Sequence, residues 1–227
     1  MKLICPAITP VALRDAVDAG AGAVRCCFAG ETRAGQLPAS HFTRPELTEA
    51  IEYARAGGTR VVVAIDNAMR MGSEALWTQA VDDAVALGAD AVAVADIGLL
   101  AYVADRYPMQ RRHVALQLSA ASASHIAFLV EAFGISRAVL PRGLLVEEVL
   151  QIARTAPCEI EVAASGMLQR RGGVTAGPSL DILAHLGALR AAGVAAITVE
   201  DAPRGSAYVR QLLTEIAAAA DGQPRAA

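Results

Sequence analysis

The sequence predicts a single (β/α)₈ barrel of the TIM type, an α/β fold, from three observations. Apolar, β-branched runs alternate eight times with helical patterns, the signature of repeated βα units around a parallel sheet. Glycine closes five of the helical segments, at Gly20, Gly58, Gly88, Gly134 and Gly193, where a left-handed residue ends a helix without a side-chain clash. The length, 227 residues, suits one barrel better than two packed domains. An open doubly wound sheet is the alternative, but it usually stops at about five to seven strands.

Each element has its own signal. A strand over 3–8 leads into a helix opened by Thr9-Pro10 and closed at Gly20. The second strand, 23–29, precedes a helix starting near Arg44 behind the N-cap type Thr43 and ending at Gly57-Gly58. The third, 60–66, is followed by a helix from about Gly72, with Ser73-Glu74 in its opening turn and Gly88 at its end. The fourth, 91–96, gives way to a helix from Gly98, and the fifth, 114–119, to one from Ser122 that Gly134 closes. A sixth strand at 138–142 leads to a helix from Leu144, and a seventh at 159–164 to one behind Ser179 ending at Gly193. The eighth strand, 195–200, meets a last helix near Gly205. The barrel is thus expected over 1–220, with 221–227 as a flexible tail.

Composition excludes several classes. Hydrophobic residues make up 54%, yet no apolar run reaches the roughly 18 to 20 residues of a membrane span. The opening MKLICPAI lacks a signal peptide's charged, apolar and cleavage regions, so a cytoplasmic protein is expected. Cys5, Cys26, Cys27 and Cys158 show no CxxC spacing, which argues against a disulfide framework or a zinc knuckle. A pI near 5.8 and scattered single arginines offer no basic stripe, so nucleic acid is not expected as a partner. The only lysine, Lys2, precedes the first strand on the stabilising face of the barrel, which excludes a Schiff-base aldolase.

In such a barrel catalytic groups come from the carboxyl ends of strands and the loops behind them. Asp66-Asn67, Asp96, Gln117 and the pair Glu200-Asp201 fall there. Such oxygen ligands suit Mg²⁺ or acid–base work, but each of Asp66 and Asp96 reads equally well as a helix cap. Strand parity in ITVED places Thr198 and Glu200 on one face and Ile197 and Val199 on the other, which puts Glu200 in the mouth. The same parity pairs Glu159 with Glu161 and puts Arg142 at the end of strand six. An arginine near Glu161 and Glu200 is either part of a site or an ion pair filling the interior. The catalytic candidates are therefore Glu200, Asp66, Asp96 and Glu161, with Asp66, Asp96 and Glu200 as the set if Mg²⁺ binds. The candidates for holding a small anionic ligand are Arg142, Arg25, Arg33, Arg204, Asn67, Gln117, Ser119 and His41, the one histidine in a loop on the working face. The stretch 165–179 is long and glycine-rich, as functional loops often are.

Set out in order, these segments resemble the peptidase U32 family, which includes collagenase-like proteins, RNA hydroxylation proteins and the paired proteins of oxygen-independent ubiquinone hydroxylation. The resemblance rests on LICPA, DAGAGAVRCCFAG, HFT with ELTEAIEYARAGGTRVVVAIDN, and ALGADAVAVADIGLL. It continues through LQLSAASAS, RAVLPRGLLVEEV, EIEVAASG and LGALRAAGVAAITVEDAPRGSAYV. The residues it matches are Asp66-Asn67, Asp96, Ser119, Arg142, Glu161 and Glu200. Departures concentrate behind strands five and seven and within strand eight. Ala120, Ala121 and Ala123 replace polar residues, Ser165 stands where the family has histidine, and Thr198 where it has lysine. Residues 167–178 contain no cysteine, so the iron–sulfur cluster of several relatives is not expected here. Nor does any serine or cysteine have a base beside it, which argues against proteolysis.

The resemblance implies a U32-like enzyme or enzyme subunit in hydroxylation-type or related small-molecule metabolism, binding a carboxylate-bearing, prephenate-like ligand. The alternatives are an Mg²⁺-dependent C–C lyase or isomerase, and a non-catalytic partner of a cluster-bearing relative from the same family.

Overall fold

The computed structural model describes residues 1–28, 42–65, 72, 74–163 and 182–199, together with the helical positions 207, 210, 211 and 214. Eight parallel strands close into a barrel in chain order. They are β1 (Lys2–Pro6), β2 (Ala23–Cys26), β3 (Arg60–Ile65), β4 (Ala91–Val94), β5 (Arg112–Ala115), β6 (Arg137–Val139), β7 (Glu159–Ala163) and β8 (Val194–Thr198). The helices between them are α1 (Pro10–Asp18), α2 (Arg44–Ala56), α3 (Glu74–Ala86), α4 (Ile97–Arg106), α5 (Ala123–Phe133), α6 (Val146–Thr155) and α7 (Ile182–Ala191).

Local chemistry sets the ends of these elements. Thr9 accepts from the Ala12 N–H to cap α1, and Thr43 caps α2 in a reciprocal box with Glu46. Ser122 receives the His125 N–H at the start of α5. All five glycines expected to close helices have positive φ. At Gly134, φ 61°, a β-carbon would also meet the Arg112 guanidinium at 3.0 Å.

Strand parity divides the barrel wall. The outward residues of the strands join the main core under the helices, with Val24, Val63, Val92, Ile160 and Ile197 all nearly or fully buried. Inside, Ile4, Ala23, Val62, Ala64, Ala91, Ala93 and Ala196 form a separate cluster of mostly small side chains. Beside them the interior holds the buried polar side chains His113, Arg137, Glu161 and Thr198, with the partly exposed Arg25. A one-residue bulge between β7 and β8 sets Glu161 opposite Ala196, which turns Thr198 inward with it.

Several expected boundaries move. Lys2 is the first residue of β1 rather than preceding it. The fifth strand ends at Ala115, so Gln117 lies in the connection behind it and Ser119 in a 3₁₀ turn, Leu118–Ala120. The sixth begins at Arg137 and ends at Val139 rather than reaching Arg142. Leu140 still donates to the Glu161 carbonyl, but Pro141 has no N–H to extend the ladder, and Arg142-Gly143 turns away exposed. Helix α3 begins at Glu74, α4 at Ile97 and α6 at Val146.

Candidate functional site

The centre of the polar interior is Glu161, with no exposed surface. Its Oε1 accepts from Arg25 Nη2 and from Thr198 Oγ1, each at 2.5 Å, and its Oε2 accepts from Arg137 Nη1 at 3.1 Å. Arg137 in turn donates from Nε and Nη2 to Glu159 Oε2 at 2.9 and 2.6 Å. The five members come from four strands of the wall: Arg25 from β2, Arg137 from β6, Glu159 and Glu161 from β7, Thr198 from β8. Parity alone aims them inward, because each is flanked by residues of the helix-facing core.

Burial by itself would raise the Glu161 pKa. Arg25, the Thr198 hydroxyl and Arg137 reverse that and hold the carboxyl below its ordinary value. An ionised carboxylate held by three donors is a poor proton acceptor. Its action is to fix the guanidinium of Arg25, whose side chain keeps 15% exposure. Arg142, which the sequence suggested as the neighbour of Glu161, is not its partner. Arg137 and Arg25 are, because Arg137 opens β6 at an inward position and Arg142 lies three residues beyond its end.

Next to this network stands His113, 3% exposed, with neither ring nitrogen hydrogen-bonded. Desolvation, reinforced by Arg137, lowers its pKa to about 3, so the ring is neutral.

A second polar group gathers at the carboxyl ends of β4 and β5, around a cavity of about 190 Å³ whose lining includes Asp96, Gln117, Ser119 and His125. Asp96 caps α4 there, accepting from the Leu99 N–H at 3.0 Å. Of the other candidates, Asp66, Asn67, Glu200, Arg33, Arg204 and His41 lie outside the described residues, as does the stretch 165–179. The magnesium set therefore has only Asp96 described. Among the described residues no three His, Cys, Asp or Glu side chains form a group able to hold a metal ion, and no helix is long and apolar enough to cross a membrane.

The thiols are dispersed. Cys5 and Cys26 face the helix-side core, and Cys27 packs against the interior cluster. Burial pushes the Cys5 thiol up to about 12 and raises that of Cys26 further.

The sequence reading omitted Arg137, and placed His113 at the entrance of strand five without a role in the site. Both share the parity of recognised interior residues, but the expected strands began one residue too late to include either.

Comparison with known proteins places these features in a family. The sequence model of peptidase family U32 matches residues 9–169. The tRNA hydroxylation protein P of Escherichia coli is 28% identical over 169 residues, which is 74% of this chain and 36% of that protein. The tRNA hydroxylation protein P2 of Bacillus subtilis is 24% identical over 160 residues, 70% of this chain and 52% of that protein. The chain thus spans about a third to a half of the length of these relatives. A crystal structure of a U32 peptidase superposes with a TM-score of 0.57 at 18% identity, covering 100% of this chain and 80% of that one, a likeness of fold.

Proposed function

The chain belongs to peptidase family U32, and from that premise we propose that it serves in hydroxylation chemistry, as an enzyme or an enzyme subunit, by holding a small carboxylate-bearing ligand at the carboxyl mouth of the barrel. The observation that carries the reading is Arg25. Its guanidinium is partly accessible inside the barrel and is oriented by a fully buried carboxylate. A fork fixed in advance loses little freedom when it takes a ligand carboxylate, and a charge-assisted bond of this kind contributes about 1.5 to 3 kcal/mol. A dicarboxylate of the prephenate kind, which the family resemblance suggested as ligand, has the matching chemistry. The two relatives are named for hydroxylation, which supports the reaction class. The surroundings of the four cysteines support a chain that performs this role without a cluster of its own. Ala120, Ala121 and Ala123 put no polar side chain at three positions behind β5 where the family has polar residues, which favours work as one subunit of a pair.

Titration calorimetry of the full chain with prephenate tests the reading. Saturable binding is expected, weakened by tenfold or more in Arg25→Gln, with acetate binding no better to the wild type than to the variant. Absence of prephenate binding to the wild type, or equal binding by the two proteins, overturns it. Co-purification from the native cell identifies the second subunit.

A further inference from the structure

We propose that the opposite, amino-terminal mouth of the barrel is a separate binding site for a phosphoryl anion, built from Lys2, Arg60 and Arg111 above the Arg137–Glu159 pair. The argument begins with parity. Lys2 shares the inward face of β1 with Ile4, Arg60 that of β3 with Val62, and Arg111 precedes β5 in step with the interior His113. Arg137 and Glu159 open β6 and β7 on the same side. On β2 and β4 the first inward residues are Ala23 and Ala91, too small to fill or neutralise the opening. Among the described inward-facing residues, the floor of the barrel therefore carries four cations and one carboxylate.

That carboxylate is already committed. Glu159 Oε2 takes two bonds from Arg137 and lies 3.5 Å from Arg111 Nη2. The side chains of Lys2 and Arg60 make no hydrogen bond or ion pair with any described residue, and both are exposed. Asp90, at the same end of the barrel, is bound to the Val61 N–H at 2.8 Å. Nor are these cations needed to answer the carbonyl ends of the helices, which point to this face. Arg55, Arg106, Arg154 and Arg190 stand in the last turns of α2, α4, α6 and α7 for that.

Cations that outnumber their counter-charge repel one another, and the Lys2 ammonium, partly desolvated and facing Arg60, Arg137 and Arg111 with Glu159 in opposition, loses its proton more readily than usual. An anion seated among them relieves that repulsion. Three donors approaching from β1, β3 and the start of β5 surround a ligand rather than forking onto one plane. This suits the tetrahedral oxygens and multiple charge of a phosphoryl group better than a flat carboxylate. Such a group comes from a free phosphate compound or from a nucleic-acid backbone, which share this chemistry.

The test is thermal unfolding of the full chain with inorganic pyrophosphate at fixed ionic strength. Millimolar pyrophosphate is expected to raise the Tm by a few degrees in the wild type and not in the double variant Lys2→Ala/Arg60→Ala. The double variant without ligand should melt no lower than the wild type and should bind prephenate unchanged, so this site and the carboxyl mouth fail or stand separately. No stabilisation of the wild type, equal stabilisation of the variant, or a ligand-free variant several degrees less stable each overturns the proposal. A short single-stranded oligoribonucleotide that displaces pyrophosphate from the wild type alone assigns the source as nucleic acid. Undisturbed pyrophosphate binding assigns it as a free phosphate compound.

Discussion

A neutral imidazole enclosed with both nitrogens unbonded contributes desolvation cost without compensation, and His113 is in that position. Replacing it by Leu removes both orphaned atoms at similar volume, so His113→Leu is expected to unfold at an equal or higher temperature at pH 7. The pH dependence sharpens the test. The unfolded chain protonates His113 below about pH 6.5, whereas the folded chain resists until about 3. The unfolded state therefore binds more protons in that window, and wild-type stability falls as pH drops through it, by about 1.4 kcal/mol per unit at most. Glu161 acts in the same acid direction, although the form its surroundings favour is the charged one. Its lowered folded pKa contributes stability that is present above the unfolded value and lost as pH falls through the folded one. Denaturant titrations of both proteins between pH 7 and 4 separate the two, because the variant keeps only the carboxylate part of the slope. A variant that is several kcal/mol weaker at pH 7 would mean that His113 is bonded after all. Parity made the inward aim of Glu161 legible in the sequence, yet not its partner. Arg137 and Arg142 bracket the same apolar run, and only the true start of β6 decides between them.

Element ends depend on single bonds that are readable when they are local and hidden when they depend on neighbours. Thr43 was readable: its N–H reaches Glu46 Oε2 at 2.9 Å while its hydroxyl receives the Glu46 N–H at 3.4 Å. Thr43→Ala should therefore lower stability by about 1 kcal/mol, seen as a lower urea midpoint with unchanged slope. An unaffected midpoint would show that water replaces the cap at no cost. The five closing glycines were equally legible, since the need for positive φ is a property of one residue. Strand ends were not. Leu116 and Leu140 are buried and continue the apolar runs, so the expected strands ran on past the last ladder position. Where a strand stops depends on the neighbouring strand's register and on breaks such as Pro141, which no periodicity records. That is why Gln117 belongs to the connection and Ser119 to the turn beside the β4–β5 cavity rather than to the barrel wall.

At the scale of the whole molecule, eight βα repeats sufficed to foresee a closed sheet, because closure follows from strand number and from one outward apolar face per strand. What the repeats did not reveal is that closure sorts charges that look scattered along the chain, bringing Lys2, Arg60, Arg111 and Arg137 to one mouth. The same sorting bears on the thiols. A cluster needs about four thiolates converging on one point, each deprotonated and within reach of iron. Here closure sends Cys5 and Cys26 outward under the helices and Cys27 inward, and leaves Cys158 just ahead of β7, at the amino end of the barrel. Burial disfavours the thiolate at Cys5, Cys26 and Cys158 alike, desolvation being the first cause at each. The chain purified alone without oxygen is therefore expected to be colourless, with iron well below one atom per chain by elemental analysis. Reconstitution with ferrous iron and sulfide should add no visible absorption that dithionite bleaches. Stoichiometric iron bound to the isolated chain would sink this reading, whereas iron that appears only with a co-purified second chain would place the cluster on that chain and agree with the role of a subunit.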